Sequence, residues 1–495
     1  MKKIYLLLLT ATLSVTSCSD FLDIPAQGSL TEDVFFAEEE GALMSLNAAY
    51  SRLRQWNLIG FPWFAMMELA SDDSDTGSEP SDGSVARLDL YDSFQYDASL
   101  TELNGYWTGN FQGIAMCNTA IDNLDILENE ETRILCIAQA RFLRGFFYFN
   151  LVRVYGGVPL IVEIQTDPDE YNQPRATVDE VYAQIIEDMA YAAENLPTRQ
   201  EWGAENYGRV TKGTADGMLA KVYMQLGDYT NAKKYAENVI NRGEYSLFSD
   251  YRDLFCPDNQ YCDEIMFQDQ YCWTESYTST SEYVKCLGIR GQIGWGYMTP
   301  SEALANAYEE GDPREEATIF NSGDEFDGEV ITIKDTANPR AFRKVLWPSD
   351  PYWNTNTFGK TNCHVIFLRY ADVLLLYAEA CNELGNTSEA LTYLEMVRSR
   401  ARNTQCSDEL VVGLPEITET DKSELRLRIW EERRIELAME GHRFYDLIRY
   451  EQQVPGYAAQ MLAIDGKTSF NYDQHSTFLI PQTEIDLSGG VLVQN

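Results

Sequence analysis

Residues 212–240 read KGTADGMLAKVYMQLGDYTNAKKYAENVI, and this stretch decides the fold class. Leu219, Ala220 and Tyr223 fall at helical spacing. Gly227-Asp228-Tyr229 interrupts the pattern, and Ala232, Ala236 and Val239 resume it. Small residues on the facing sides let two antiparallel helices approach closely, and the larger ones fill the neighbouring groove. The arrangement recurs over residues 369–401, where Tyr377 and Ala378 lead, Gly385 turns the chain, and Ala390, Leu394 and Val397 follow.

The spacing of these two hairpins resembles the tetratricopeptide repeat, whose units stack neighbour on neighbour. Outward from them, further helices are predicted over residues 38–56, with Leu43, Leu46, Ala49, Tyr50 and Leu53 on one stripe, over 107–127, and over 422–449. A helix over 132–155 ends at Gly156-Gly157 and Pro159, and another starts at Thr177, with Glu180 placed to complete a capping box, and stops near Pro197. Residues 71–84 (SDDSDTGSEPSDGS) read as polar loop. Residues 251–363 are rich in Gly, Tyr, Trp, Ser and Asp, with short strands expected over 264–267 and 329–333. The expected fold is mostly α: a tetratricopeptide-like helical-hairpin scaffold with a large irregular, loop-rich insertion carrying short strands. The organisation expected is a signal segment 1–17, an N-terminal helical region 18–245 and a C-terminal region 246–495 that includes the insertion 251–363.

The N-terminus places the chain. Lys2 and Lys3 precede the apolar run 4–9, and Val15-Thr16-Ser17 lead to Cys18. The run is too short for a permanent bilayer span, so it reads as a cleaved signal. A cysteine at that point resembles a lipobox, which predicts lipidation at Cys18 and a membrane anchor made of lipid alone. Hydrophobic residues make up 44% of the 495 and the net charge is -40, which together describe a globular protein that phosphate backbones repel. Nucleic acid is therefore not an expected partner. Of ten cysteines, nine remain after Cys18. Cys256, Cys262, Cys272 and Cys286 crowd one region, where one or two disulfides fit. Cys117, Cys136 and Cys381 lie in helical patterns as small buried hydrophobes.

Several segments, in order, carry a specific resemblance. They are Phe21-Leu-Asp-Ile-Pro25; Gly113-Ile114 with Cys117-Asn118; Arg141-Phe-Leu-Arg-Gly-Phe-Phe-Tyr-Phe149 with Tyr155-Gly-Gly-Val-Pro159; and Lys212-Gly-Thr-Ala215. There follow residues 369–380 (RYADVLLLYAEA), Glu432-Arg-Arg434, Glu436-Leu437, Glu440-Gly-His-Arg443, Tyr445-Asp446, Ile480-Pro-Gln482, Glu484-Ile485 and Gln494-Asn495. On these the chain resembles the SusD/RagB family of surface lipoproteins over essentially its whole length. Ser488-Gly-Gly490 departs from the family's more usual Asn-Pro. The resemblance implies an outer-membrane, cell-surface lipoprotein that binds an oligosaccharide without catalysis and passes it to a SusC-like TonB-dependent transporter.

The resemblance also implies where a ligand sits: on aromatics just before a Pro-Ser segment that leads to Asp-x-Arg. Here these are Pro300-Ser301 and Asp312-Pro-Arg314. Aromatic faces suit the C–H faces of sugars, and polar side chains suit the hydroxyls. Trp295 is the leading platform, with Trp273, Tyr297 and Trp353 as further ligand contacts and Tyr91 or Phe94 as a third platform from the early loop. Asp72, Asp73 and Asp75 admit sugar hydroxyls or a structural calcium, though their spacing is not that of an EF-hand; they equally suit a solvated turn. No other cofactor is expected. Arg141, Arg144, Arg433, Arg434 and Arg443 read as bidentate clamps between helices, with Asp446 and Glu436 as partners and His442 as a structural helix-end residue. No G-x-S-x-G, P-loop or H-E-x-x-H occurs, so no enzyme activity is expected. Two other readings stay open: peptide cargo within the same family, and a structural lid for the transporter.

Overall fold

The computed structural model describes residues 39–167, 171–274, 277–279, 283–292, 294–326, 328–334, 338–344, 346–347, 363–404 and 414–495. The signal segment, Cys18, Phe21–Pro25, Trp353 and the side chains of Trp273 and Cys272 lie outside them.

The long helices are α1 (Glu39–Ser51), α2 (Thr101–Asn123), α3 (Glu130–Tyr155), α4 (Val178–Asn195), α5 (Lys212–Gln225), α6 (Tyr229–Arg242), α7 (Tyr370–Glu383), α8 (Thr387–Arg402), α9 (Lys422–Glu436) and α10 (Arg443–Glu451). From α1 to α8 each packs on the next, and α7 and α8 also pack on α9. This is the stack that the two hairpin patterns imply. The contact between α6 and α7 matters most, because residues 243–369 lie between them in sequence. The chain leaves the stack, builds the insertion, and returns to the same edge.

Local signals fix the helix ends. Asn129 Oδ1 accepts from Thr132 N–H at 3.0 Å to start α3. At α4, Glu180 N–H donates to Thr177 Oγ1 (3.3 Å) while Thr177 N–H donates to Glu180 Oε2 (2.8 Å), the predicted capping box. Close approach is built in as well: a Cβ on Gly113 of α2 would sit 2.6 Å from the Phe147 ring of α3.

The insertion carries β2 to β9 of the short strands β1 (Ser74–Gly77), β2 (Ile265–Gln268), β3 (Cys272–Thr274), β4 (Tyr277–Ser279), β5 (Tyr297–Pro300), β6 (Ile319–Asn321), β7 (Glu325–Phe326), β8 (Glu329–Val330), β9 (Arg340–Phe342) and β10 (Ile366–Arg369). They form antiparallel pairs: β1 with β5, β10 with β2, β3 with β4, β6 with β9 and β7 with β8. Cys117, Cys136 and Cys381 are buried thiols, as expected. Cys256 and Cys262 are free thiols, so neither takes part in a disulfide of this region.

Three sequence readings need correction. The helix expected over 38–56 ends at Ser51, where a short 3-10 turn Arg52–Arg54 takes over before a new helical turn Trp56–Ile59. Residues 71–84 are polar loop only beyond Gly77, since Ser71 to Ser74 are buried and β1 lies within the first half. The helix expected over 422–449 breaks between Glu436 and Arg443, with Met439 and Gly441 at φ 60 and 77. There Gly441 N–H donates to Glu68 Oε1 at 2.6 Å, and Trp63 lies so close that a Cβ on Gly441 would meet its ring at 2.2 Å. Gly441→Ala should therefore cost on the order of 3 kcal/mol, from left-handed backbone and a displaced Trp63. A denaturant midpoint equal to the parent's would contradict this.

A buried ion network ties the insertion to the stack. Arg314 Nη1 donates to Glu432 (2.6 Å) and Glu436 (3.1 Å). Arg369 Nη1 donates to Glu264 (2.9 Å) and Glu436 (2.6 Å), and its Nε donates to Glu440 (2.8 Å). Arg400 donates to Glu264 at 2.9 Å and also to Glu436. The expected clamps also form: Arg141 and Arg144 both hold Asp188 of α4, and Arg433 joins Asp372 to Asp446. Glu436 differs from expectation, because it serves Arg314, Arg369 and Arg400 rather than the clamp arginines. His442 stands at the start of α10 with its Nδ1 2.9 Å from Lys221 Nζ, a structural contact as expected.

Candidate ligand platform

The platform is a short β ladder with one tryptophan at its open end. β1 and β5 pair Ser74 with Pro300, Asp75 with Thr299 and Gly77 with Tyr297. Beyond the ladder, Ser78 N–H donates to Gly296 O (2.6 Å), Ser78 Oγ donates to Trp295 O (2.8 Å), and Trp295 N–H donates to Lys285 O (2.8 Å). The flanking glycines serve this closeness: a Cβ on Gly77 would lie 2.4 Å from Gly296 O, and one on Gly294 would lie 2.7 Å from Gly288 Cα. The backbone around Trp295 is thus held on both sides.

The Trp295 ring is half-buried. Phe61 lies 6.0 Å from it and Tyr297 6.5 Å, both tilted or edge-on, and Lys285 Nζ lies 4.5 Å from its centroid. Trp56, 37% exposed, continues the cluster 5.2 Å from Phe61. Trp56 and Phe61 escaped the sequence reading; the aromatic run Phe61-Pro-Trp-Phe64 was the available signal.

Tyr297 needs correction as a ligand contact. It is 2% exposed, and its hydroxyl interacts with the Asp82 carboxylate. Burial, with that carboxylate second, pushes the phenol up to about 12. The interaction with Tyr297 in turn lowers Asp82. Tyr297 therefore supports Trp295 and fixes the 79–84 turn. Tyr91 and Phe94 are also core residues: Tyr91 stacks on Tyr96, and Phe94 packs on Phe470.

The acidic residues are corrected too. Arg443 grips Asp72 with two parallel bonds of 2.7 and 2.8 Å, and Arg434 Nε donates to Asp73 at 2.6 Å. Burial alone would raise Asp72, but Arg434 and Arg443 outweigh it and hold the carboxyl well below its usual value. Asp73 ends raised, because burial exceeds the help from Arg434. Asp75 accepts from Asn338 Nδ2 at 2.6 Å, and Asn338 also donates to Thr299 Oγ1 and Pro300 O. Asp72 and Asp73 anchor the ladder to α9 and α10, and Asp75 ties it to Asn338, instead of facing a ligand. Among the described residues no group of three or more His, Cys, Asp or Glu could hold a metal ion.

Glu68 sits beneath this anchor. Burial first, and the Asp73 charge second, raise its carboxyl from 4.5 to about 8. A raised carboxyl keeps its proton in the native state after the unfolded chain has lost it, so stability falls as pH rises from 4.5 to about 8. Glu68→Gln removes that fall. Relative to the parent, the variant should gain stability steadily across this window, read as the difference in urea midpoints. A pH-independent difference would contradict it.

Comparisons with known proteins agree with this architecture. Residues 263–495 match the SusD family, residues 66–224 match a family described as starch-binding, associating with outer membrane, and residues 217–242 match the tetratricopeptide repeat. The chain is 29% identical to SusD-like protein P2 of Formosa agariphila, over 100% of this chain and 98% of that protein. Among solved structures, a laminarin binding SusD-like protein is 27% identical with a TM-score of 0.76, covering 92% of this chain and 99% of that one. Surface glycan-binding protein A from Bacteroides fluxus is 25% identical with a TM-score of 0.76, at the same coverage. With two SusD-type family models that together span most of the chain, and relatives of the same architecture aligned over nearly their whole length, these matches support a SusD-like family protein.

Proposed function

We propose that this protein is a cell-surface lipoprotein of the outer membrane that binds glycan oligomers without catalysis and delivers them to a SusC-like TonB-dependent transporter. The carrying observation is the half-buried Trp295, held by backbone bonds to Ser78 and Lys285 with its flank supported by Phe61 and Tyr297. A rigid ring at a surface is what a sugar's C–H face stacks on, and its fixed geometry keeps the ordering cost low. The relatives named for laminarin and surface glycan binding support the ligand class. Trp273 and Trp353 remain further proposed contacts.

Non-catalytic action is supported by the platform's chemistry. The acids beside it, Asp82 and Glu79, are engaged with Arg290, at 3.0 and 3.9 Å. They hold the turn rather than flank a bond to be broken. The lipobox-like Cys18 and the family described as associating with outer membrane support the location. No helix among the described residues is long and apolar enough to cross a membrane. Affinity purification of the full chain, co-expressed with a SusC-like transporter, should recover the two together. Recovery of the lipoprotein alone under mild detergent would count against delivery.

A further inference from the structure

We infer that the cleft between residues 199–211 and 260–270 is a second, distal contact for the same glycan, so that the protein selects extended oligosaccharides over short ones. This rests on the proposed function. Two tyrosines flank the cleft, Tyr207 at 42% and Tyr261 at 38% exposure. The Arg199 guanidinium lies 4.6 Å from the Tyr207 ring and is fixed by donating to Tyr261 O (2.5 Å) and Cys262 O (3.2 Å). Trp202 Nε1–H is already spent on Val210 O at 2.9 Å, which holds the floor.

The recess between them carries an amide donor and an amide acceptor. Tyr261 O–H donates to Gln270 Oε1 at 2.8 Å, which leaves Gln270 Nε2 turned the other way. Among the described residues neither Gln270 Nε2 nor Gln260 Oε1 finds a hydrogen-bond partner, and both atoms are buried. Gly208, at φ +97, closes against this amide: a Cβ there would lie 2.7 Å from Gln270 Cδ. The recess has a volume of about 20 Å³. That admits one hydroxyl or one water but no sugar ring. A hydroxyl is both donor and acceptor, so one sugar hydroxyl suits the pair while its ring lies over the exposed tyrosines.

A run of contacts joins this cleft to the platform. Trp295 meets Phe61, Phe61 meets Trp56, and Tyr271 O–H donates to Arg54 O at 3.3 Å, with Gln270 next in the chain. The exposed rings connect to this run: Trp56 is part of it, Tyr261 bonds to Gln270, and Tyr207 is reached through Arg199.

The test is titration of residues 19–495 with laminari-, cello- and malto-oligosaccharides in length series from the disaccharide upward. Tyr261→Ala and Gln270→Leu should weaken the longest bound oligomer by about tenfold, the effect of one lost stacking or hydrogen-bonding contact. Both should leave the shortest bound oligomer unchanged. Variants that match the parent at every length overturn the inference and leave the recess to water alone. If Trp295→Ala abolishes binding while the distal variants are silent, the platform stands and the distal contact falls. A folded parent that binds no oligosaccharide overturns both.

Discussion

Glu436→Gln should lower the free energy of unfolding by about 3–5 kcal/mol at neutral pH. The substitution keeps the shape and removes one charge from a site where Arg314, Arg369 and Arg400 converge. All four groups are almost wholly buried, so water cannot replace the lost counter-charge. The cost is mostly that of leaving arginines under-paired in a low dielectric, not the net worth of the native pairs. Burial opposes ionisation of Glu436, yet the Arg400, Arg369 and Arg314 charges outweigh it and hold the carboxyl at about 2, below its ordinary 4.5. Such a group stabilises above pH 4.5, and that contribution is lost as pH falls through about 2. The gap between parent and variant should therefore be widest near neutrality and narrow in acid. Chemical denaturation across that range checks both size and sign; a loss below about 1 kcal/mol would show that the insertion is held to the stack by something else.

Trp295→Ala should weaken glycan binding by about 2 kcal/mol or more, a dissociation constant at least about 30-fold higher. The fold should survive, because the ring is half-buried and the bonds that fix its position come from backbone atoms. Tyr297→Phe separates support from contact. It removes the hydroxyl held by Asp82 but keeps the ring packed edge-on against Phe61 at 4.9 Å. Its effect should be a several-fold loss that a direct ligand contact would exceed. An unchanged thermal midpoint alongside the Trp295→Ala loss would assign that loss to the ligand surface.

The scaffold was legible because its signals are local. Helical spacing, the Thr177–Glu180 box and the Gly227 and Gly385 turns all act within a few residues, and each appears where the sequence puts it. The break after Glu436 was not legible, since helical spacing runs through it. What stops the helix is Trp63 and Glu68, more than 370 residues away. The acidic run at Asp72 and Asp73 misled for the same reason. Its composition says solvent, and only the fold brings Arg434 and Arg443 onto it. Trp295 stands out in the sequence as an aromatic between glycines and is the proposed platform, but nothing in its neighbourhood names Phe61 or Trp56 as its flank. Tyr297 shows the limit of composition: two residues further along the same strand end, it is core.

Calorimetric titration of residues 19–495 against plant, host and microbial oligosaccharides, beside Trp295→Ala, tests the central claim most directly. The account predicts saturable binding of at least one glycan by the parent and its loss in the folded variant. A parent that binds a glycan with Trp295→Ala unaffected would place the ligand elsewhere, and a folded parent silent across the panel would contradict glycan binding altogether.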